Sequence, residues 1–196
     1  MTCRCRWNWM AACAGAVLAL LDPWPTQAQH RFLVQTNYYA VTGETVREIR
    51  QSMNAGRPGG RAAKTDALTT WTIRWRSQGV PGPEGWRLSH FSTDTTITFT
   101  LPMWRAPTNA APEVRAAWSR YFTALLRHEL GHAEFGRQAA MEVQQKVAGL
   151  GPEPSAHALR ERVRQTVEAI IADHRRREVD YDQRTDHGRK EGAQFP

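Results

Sequence analysis

The chain has 196 residues, 41% of them hydrophobic and 23% charged, and a formal net charge of +7, which suits one soluble domain with a single core. All three cysteines, Cys3, Cys5 and Cys13, lie near the start. A domain beginning near residue 29 therefore has no disulfide framework, no thiolate metal site and no Cys nucleophile.

The first residues read as an export signal. Arg4 and Arg6 precede an unbroken apolar run, Met10 to Leu21, and DPWP and the small-residue site Thr26-Gln27-Ala28 follow. The run is too short to span a bilayer, which needs roughly 20 residues. Residues 1–28 are thus expected to be a signal peptide, and residues 29–196 a single secreted or periplasmic domain with no stable membrane insertion. Without Arg4, Arg6 and Asp22 the net charge is +6. For an exported chain, that balance favours anionic lipid or acidic wall polymers over nucleic acid, which is not expected as a partner.

Gln35 to Gly43 is rich in aromatic and β-branched residues and predicts a strand. Thr45 to Asn54 places Val46, Ile49 and Met53 at helical spacing, so a short amphipathic helix follows. GRPGGRAAKTDA is a loop. Ala67 to Trp75 alternates, with Trp71, Ile73 and Trp75 on the core face of a second strand. After the turn-rich QGVPGPEG, Thr96 to Leu101 forms a third strand whose inward residues are Ile97, Phe99 and Leu101. Together these predict a small antiparallel sheet, with Thr96 to Leu101 as an edge open to an extended peptide. From Pro112 the period becomes helical, through Val114, Trp118, Tyr121, Leu125 and on toward Gly151. Another helix starts near Ser155 with Leu159, Val163, Val167 and Ile170 as its stripe; the segment from Tyr181 shows no period.

The long helix carries RHELGHAEFG. At 100° per residue His128 and His132 leave one face about 40° apart, and Glu129 lies about 60° from His132. This is the H-E-x-x-H arrangement, in which two imidazoles chelate a metal and the Glu reaches a water without being a ligand. Random placement of the 7 His among the chain's Glu residues gives the pattern only about 0.015 times per chain. Zn2+ suits neutral imidazoles with a carboxylate and no thiolate. The expected chemistry is hydrolysis of a peptide or protein substrate, with Glu129 as general base.

The blocks NYYAVTGETVREI, TTWTIRW, RHELGHAEFG and YDQRTDHG, in that order after a leader, resemble the bacterial family of predicted secreted zinc-dependent proteases known as domain of unknown function 922. The resemblance covers nearly all of the chain after the leader and implies a zinc protease-like fold. The expected class is therefore α+β and zincin-like: a small sheet and a short helix packed on the motif helix and a second C-terminal helix.

A third ligand must come from elsewhere. The metzincin extension would need Gly at 135 and His at 138, where this chain has Phe135 and Gln138. A thermolysin-like site would draw on Glu153, Glu161 or Glu168. In the YDQRTDHG block, which the resemblance marks as recurrent, His187 is the favoured ligand and Asp182 the second choice. Asp182 or Asp186 can orient an imidazole, and Tyr181 can offer a phenol to a developing oxyanion. Two other functions use the same residues: a non-catalytic metal-containing envelope-binding protein, and a zinc amidase acting on cell-wall peptides.

Overall fold

The computed structural model describes residues 27–60 and 65–196. Apart from the first two residues of a strand, the expected leader lies outside them. The described chain is a mixed α+β fold of three strands and three helices: β1 (Gln27–Val41), α1 (Val46–Gly56), β2 (Leu68–Gly82), β3 (Gly85–Trp104), α2 (Pro112–Ala148) and α3 (Ala156–Thr185), with a 3-10 turn at Arg189–Glu191. No described helix is long and apolar enough to cross a membrane.

The sheet order is β1-β3-β2. β2 and β3 form a long antiparallel hairpin around Pro83 and Glu84, whereas β1 runs parallel to β3, from Gln27 opposite His90 to Val41 opposite Trp104. The sheet is therefore mixed, not wholly antiparallel. The Thr96 to Leu101 strand lies in its centre, not at an edge, because α1 and the hairpin carry the chain back so that β3 inserts between β1 and β2. The edge beside the motif helix is that of β2, where Arg175 donates to the Trp71 carbonyl.

β3 is also much longer than its apolar signature. Thr93 and Thr95 occupy inward positions and are almost fully buried. The Thr93 hydroxyl is satisfied there by Gln144 Nε2 at 2.6 Å and His30 Nδ1 at 3.0 Å, so the strand stays inward-facing without an apolar residue at that point.

Thr45 starts α1 through a capping box with Glu48. α2, at 37 residues, is about 55 Å long. It approaches β2 closely at Gly136, where a Cβ would lie 2.6 Å from Trp71 Cγ. α3 returns antiparallel to it, as the pairs Glu142–His174, His132–Glu178 and His128–Asp182 show. α3 runs on to Thr185, so the segment from Tyr181 begins inside a helix. Its buried stripe continues the apolar Leu159, Val163, Val167 and Ile170 with His174 and Glu178.

Two apolar clusters result. The larger gathers Ile49, Met53, Trp71, Phe99, Tyr121 and Phe195 with their neighbours; the smaller gathers Leu88, Phe91, Val143, Val147, Val163 and Val167, and Ile171 packs against both. A backbone bridge between Trp86 and Glu153 pins the α2–α3 loop to the hairpin, with N–O distances of 2.7 and 2.8 Å.

Candidate metal centre

His128, Glu129 and His132 are all buried on α2, as one-turn spacing on the inward face of a helix requires. Asp182 reaches them from the last turn of α3. His128 Nε2, His132 Nε2 and Asp182 Oδ1 form a triangle with all three sides 3.1 Å. These three residues can hold a metal ion.

The outer contacts explain why these atoms converge. His128 Nδ1 donates to Glu191 Oε2 and His132 Nδ1 to Glu178 Oε1, each at 3.2 Å. A carboxylate can only accept, so each imidazole carries a proton on Nδ1 and turns Nε2 inward, the nitrogen left to bind a metal ion or a second proton. The two Nε2 atoms and the Asp182 oxygen then face one another, an arrangement that a proton or a metal ion among them holds together. Around a tetrahedral ion with bonds of about 2.0–2.1 Å, neighbouring donors stand about 3.3–3.4 Å apart, close to the observed spacing. The donor set therefore fits such an ion.

Charge around the triangle follows from the same contacts. Asp182 is buried against its ionised preference, yet its bonds to His128 and His132 hold its pKa well below the usual carboxylate range. Burial would lower His132, but bonds to Asp182 and Glu178 carry it up to about 9. Burial would raise Glu178, and its bonds to His132 and Arg175 outweigh that and lower it. Glu178 Oε2 also accepts from Trp71 Nε1 at 3.1 Å and Arg175 Nη1 at 2.9 Å. Glu129 is no member of the triangle. Burial raises its pKa, opposed by the Thr69 hydroxyl, which donates to its Oε2 at 2.6 Å.

Glu129 and the three donors line one cleft of about 570 Å3, together with Leu68 and Thr69 from the edge strand β2. The segment after α3 folds back over His128. Asp186, His187 and Gly188 are consecutive left-handed residues, with φ of 53°, 52° and 78°. At Gly188 a Cβ would lie 2.8 Å from His128 Cγ, so this turn needs glycine for both its φ and its proximity.

The remaining sequence candidates fall as follows. His187 also lines the cleft, but it stands behind Asp182: its Nδ1 is 3.3 Å from Asp182 Oδ2 without hydrogen-bond alignment. The converging donor from this block is thus Asp182, the second choice, because α3 extends far enough to point it at the histidines. Asp186 pairs with Arg189 and orients no imidazole. Tyr181 stacks on His128, 4.9 Å between ring centroids, and donates to Glu191; it does not line the cleft. Glu161 and Glu168 clasp Arg164 on the exposed face of α3, and Glu153 sits at the hairpin bridge. Sequence reasoning missed Glu178 and Glu191. The first was detectable, since His174, Glu178 and Asp182 continue the α3 stripe at four-residue steps.

No curated protein and no solved structure matches the chain. One family model does, over residues 36–188, a span that contains all three converging donors. Its description is of unknown function, and the protease label carried by the resemblance is no part of it. The chain belongs to this bacterial family of proteins of unknown function, DUF922.

Proposed function

We propose that the chain is an exported zinc-dependent peptidase of zincin-like arrangement, hydrolysing peptide bonds with Glu129 as general base. The observation that carries this reading is the 3.1 Å triangle of two Nε2 atoms and one carboxylate oxygen opening into the same cleft as a buried Glu that is not part of it. Export rests on the Arg4/Arg6 and Met10 to Leu21 leader pattern.

When bound, a zinc ion supplies Lewis acidity, polarising a carbonyl and lowering the pKa of water. The chain's own residues do the rest. Glu129 takes the proton of the attacking water and delivers it to the leaving amine, a shuttle suited to a carboxyl whose pKa burial has raised. Thr69 fixes the orientation of that carboxylate. Glu178 and Glu191 fix the two imidazoles. The substrate lies in the cleft beside Leu68 and Thr69. A purely structural ion takes four protein donors; three converge among the described residues, which favours the enzyme over the envelope-binding alternative. The amidase reading needs the same residues on a different carbonyl, and substrate profiling separates the two.

The test is Glu129→Gln. The variant is expected to keep about one zinc per chain by elemental analysis and to lose chelator-sensitive hydrolysis of a broad peptide library. Undiminished hydrolysis by the variant would remove Glu129 from the mechanism.

A further inference from the structure

The two histidines are not buttressed alike. His132 leans on Glu178, which belongs to α3 and is itself locked by Trp71 and Arg175. His128 leans on Glu191, which belongs to one 3-10 turn closed by local bonds: Glu191 N to Gly188 O at 2.9 Å, Gly192 N to Arg189 O at 3.1 Å and Ala193 N to Gly188 O at 3.0 Å. The Glu191 side chain is 34% exposed, against 11% for Glu178. The turn is fastened beyond itself by Ala193 and Phe195 in the core and by Arg50 Nη2 donating to the Phe195 carbonyl at 2.8 Å. One imidazole therefore has its Nδ1 acceptor on the rigid body of the fold and the other has its acceptor on a segment docked on it.

We propose that the segment Asp186–Phe195 is a metal-responsive latch, in which Glu191, acting on His128, couples docking of this segment to ion binding at His128, His132 and Asp182. This rests on the metal reading of the site. With the segment docked, the Nδ1 proton of His128 has its acceptor and Nε2 points at the other donors. With it released, the imidazole loses that acceptor and the packing of Gly188 against its ring, and only the Tyr181 stack is left to aim Nε2. Coupling of two binding events is reciprocal, so whatever factor the docked segment adds to ion affinity, the ion adds to docking. Removing an outer carboxylate from a metal-bound histidine commonly costs about 10–100-fold in affinity, and that range sets the expected factor. Glu191 is here a positioning residue, not a ligand.

Two measurements on the full chain test the latch: the Zn2+ dissociation constant, by competition with a chromophoric chelator, and amide hydrogen exchange over residues 186–195 with zinc and with EDTA. In the parent, zinc is expected to slow exchange at Glu191, Gly192 and Ala193 by about 10–100-fold. Glu191→Ala is expected to weaken zinc binding by the same factor at unchanged stoichiometry and to abolish the zinc-dependent protection. Glu191→Gln, whose amide oxygen still accepts from Nδ1, should recover much of both. A parent that binds zinc while Glu191→Ala binds it equally well, or exchange in the segment that ignores zinc, would overturn the latch and leave the metal site standing. A parent that binds no zinc would end the metal reading and the latch together.

Discussion

Replacing Asp182 and His187 separately by Ala distinguishes the donor of the triangle from the residue behind it. Structural zinc sites with four protein donors bind with about 10–16 kcal/mol, or roughly 3 kcal/mol per donor. Asp182 contributes an oxygen 3.1 Å from both Nε2 atoms, so Asp182→Ala should raise the zinc dissociation constant more than about a hundredfold. His187 reaches the site only through the far oxygen of Asp182, at 3.3 Å and out of alignment. His187→Ala should therefore cost no more than about tenfold, the low end for an outer group. Chelator competition at fixed pH reads both. Thermal melts give an independent measure, since a ligand at a hundred times its dissociation constant stabilises by about 2.7 kcal/mol, or roughly 5–10 °C for a chain of this size. Asp182→Ala should lose that zinc-dependent shift and His187→Ala should keep most of it. The reverse order would show that His187 is the ligand and that the triangle is not the ion's seat.

Thr69→Val should reduce hydrolysis about tenfold or more with zinc content unchanged, because a hydrogen bond to a charged group contributes about 1.5–3 kcal/mol and this one orients Glu129; an equal rate constant would show that Glu129 needs no such partner. Gly136→Ala should lower stability to urea by about 1–3 kcal/mol, the usual cost of overpacking, since the new methyl meets Trp71 at 2.6 Å; an unchanged midpoint would contradict the close α2–β2 contact. Phe195→Ala should destabilise by about 3 kcal/mol, because its ring packs among Trp118 and Tyr121. A neutral result there would place Phe195 outside the core.

The motif helix was legible because both signals agree: His128, Glu129 and His132 fall on the inward face that Tyr121 and Leu125 already define. α1 was legible for the same reason, with Thr45 marking its start. β1 and β3 are legible only in part. The middle of β3 turns Thr93 and Thr95 inward, and β1 is exposed from Gln29 to Tyr38, so neither shows a continuous apolar period. The parallel pairing of β1 with β3 is a matter of topology, which no local pattern encodes. Asp182 stands second to His187 in the sequence because the segment from Tyr181 shows no period that would place it on a helix. Its helical state follows from burial of His174 and Glu178 one and two turns earlier, and polar residues on a buried stripe look like a surface until their partners on α2 are known.

The division of the interior into two clusters has a consequence for cooperativity. All three donors and Glu191 lie where α2 and α3 meet the larger cluster, while Val143, Val147, Val163 and Val167 hold the far ends of the same helices against Leu88 and Phe91. Opening of that far end leaves the triangle intact, so bound metal adds nothing to the free energy of that event. It adds fully to any opening that parts His128 from Asp182. Zinc should thus spread the molecule's opening reactions apart in energy: the hairpin tip and the α2–α3 loop, joined at Trp86 and Glu153, become the first place where the fold yields, and the half that contains the cleft becomes the last.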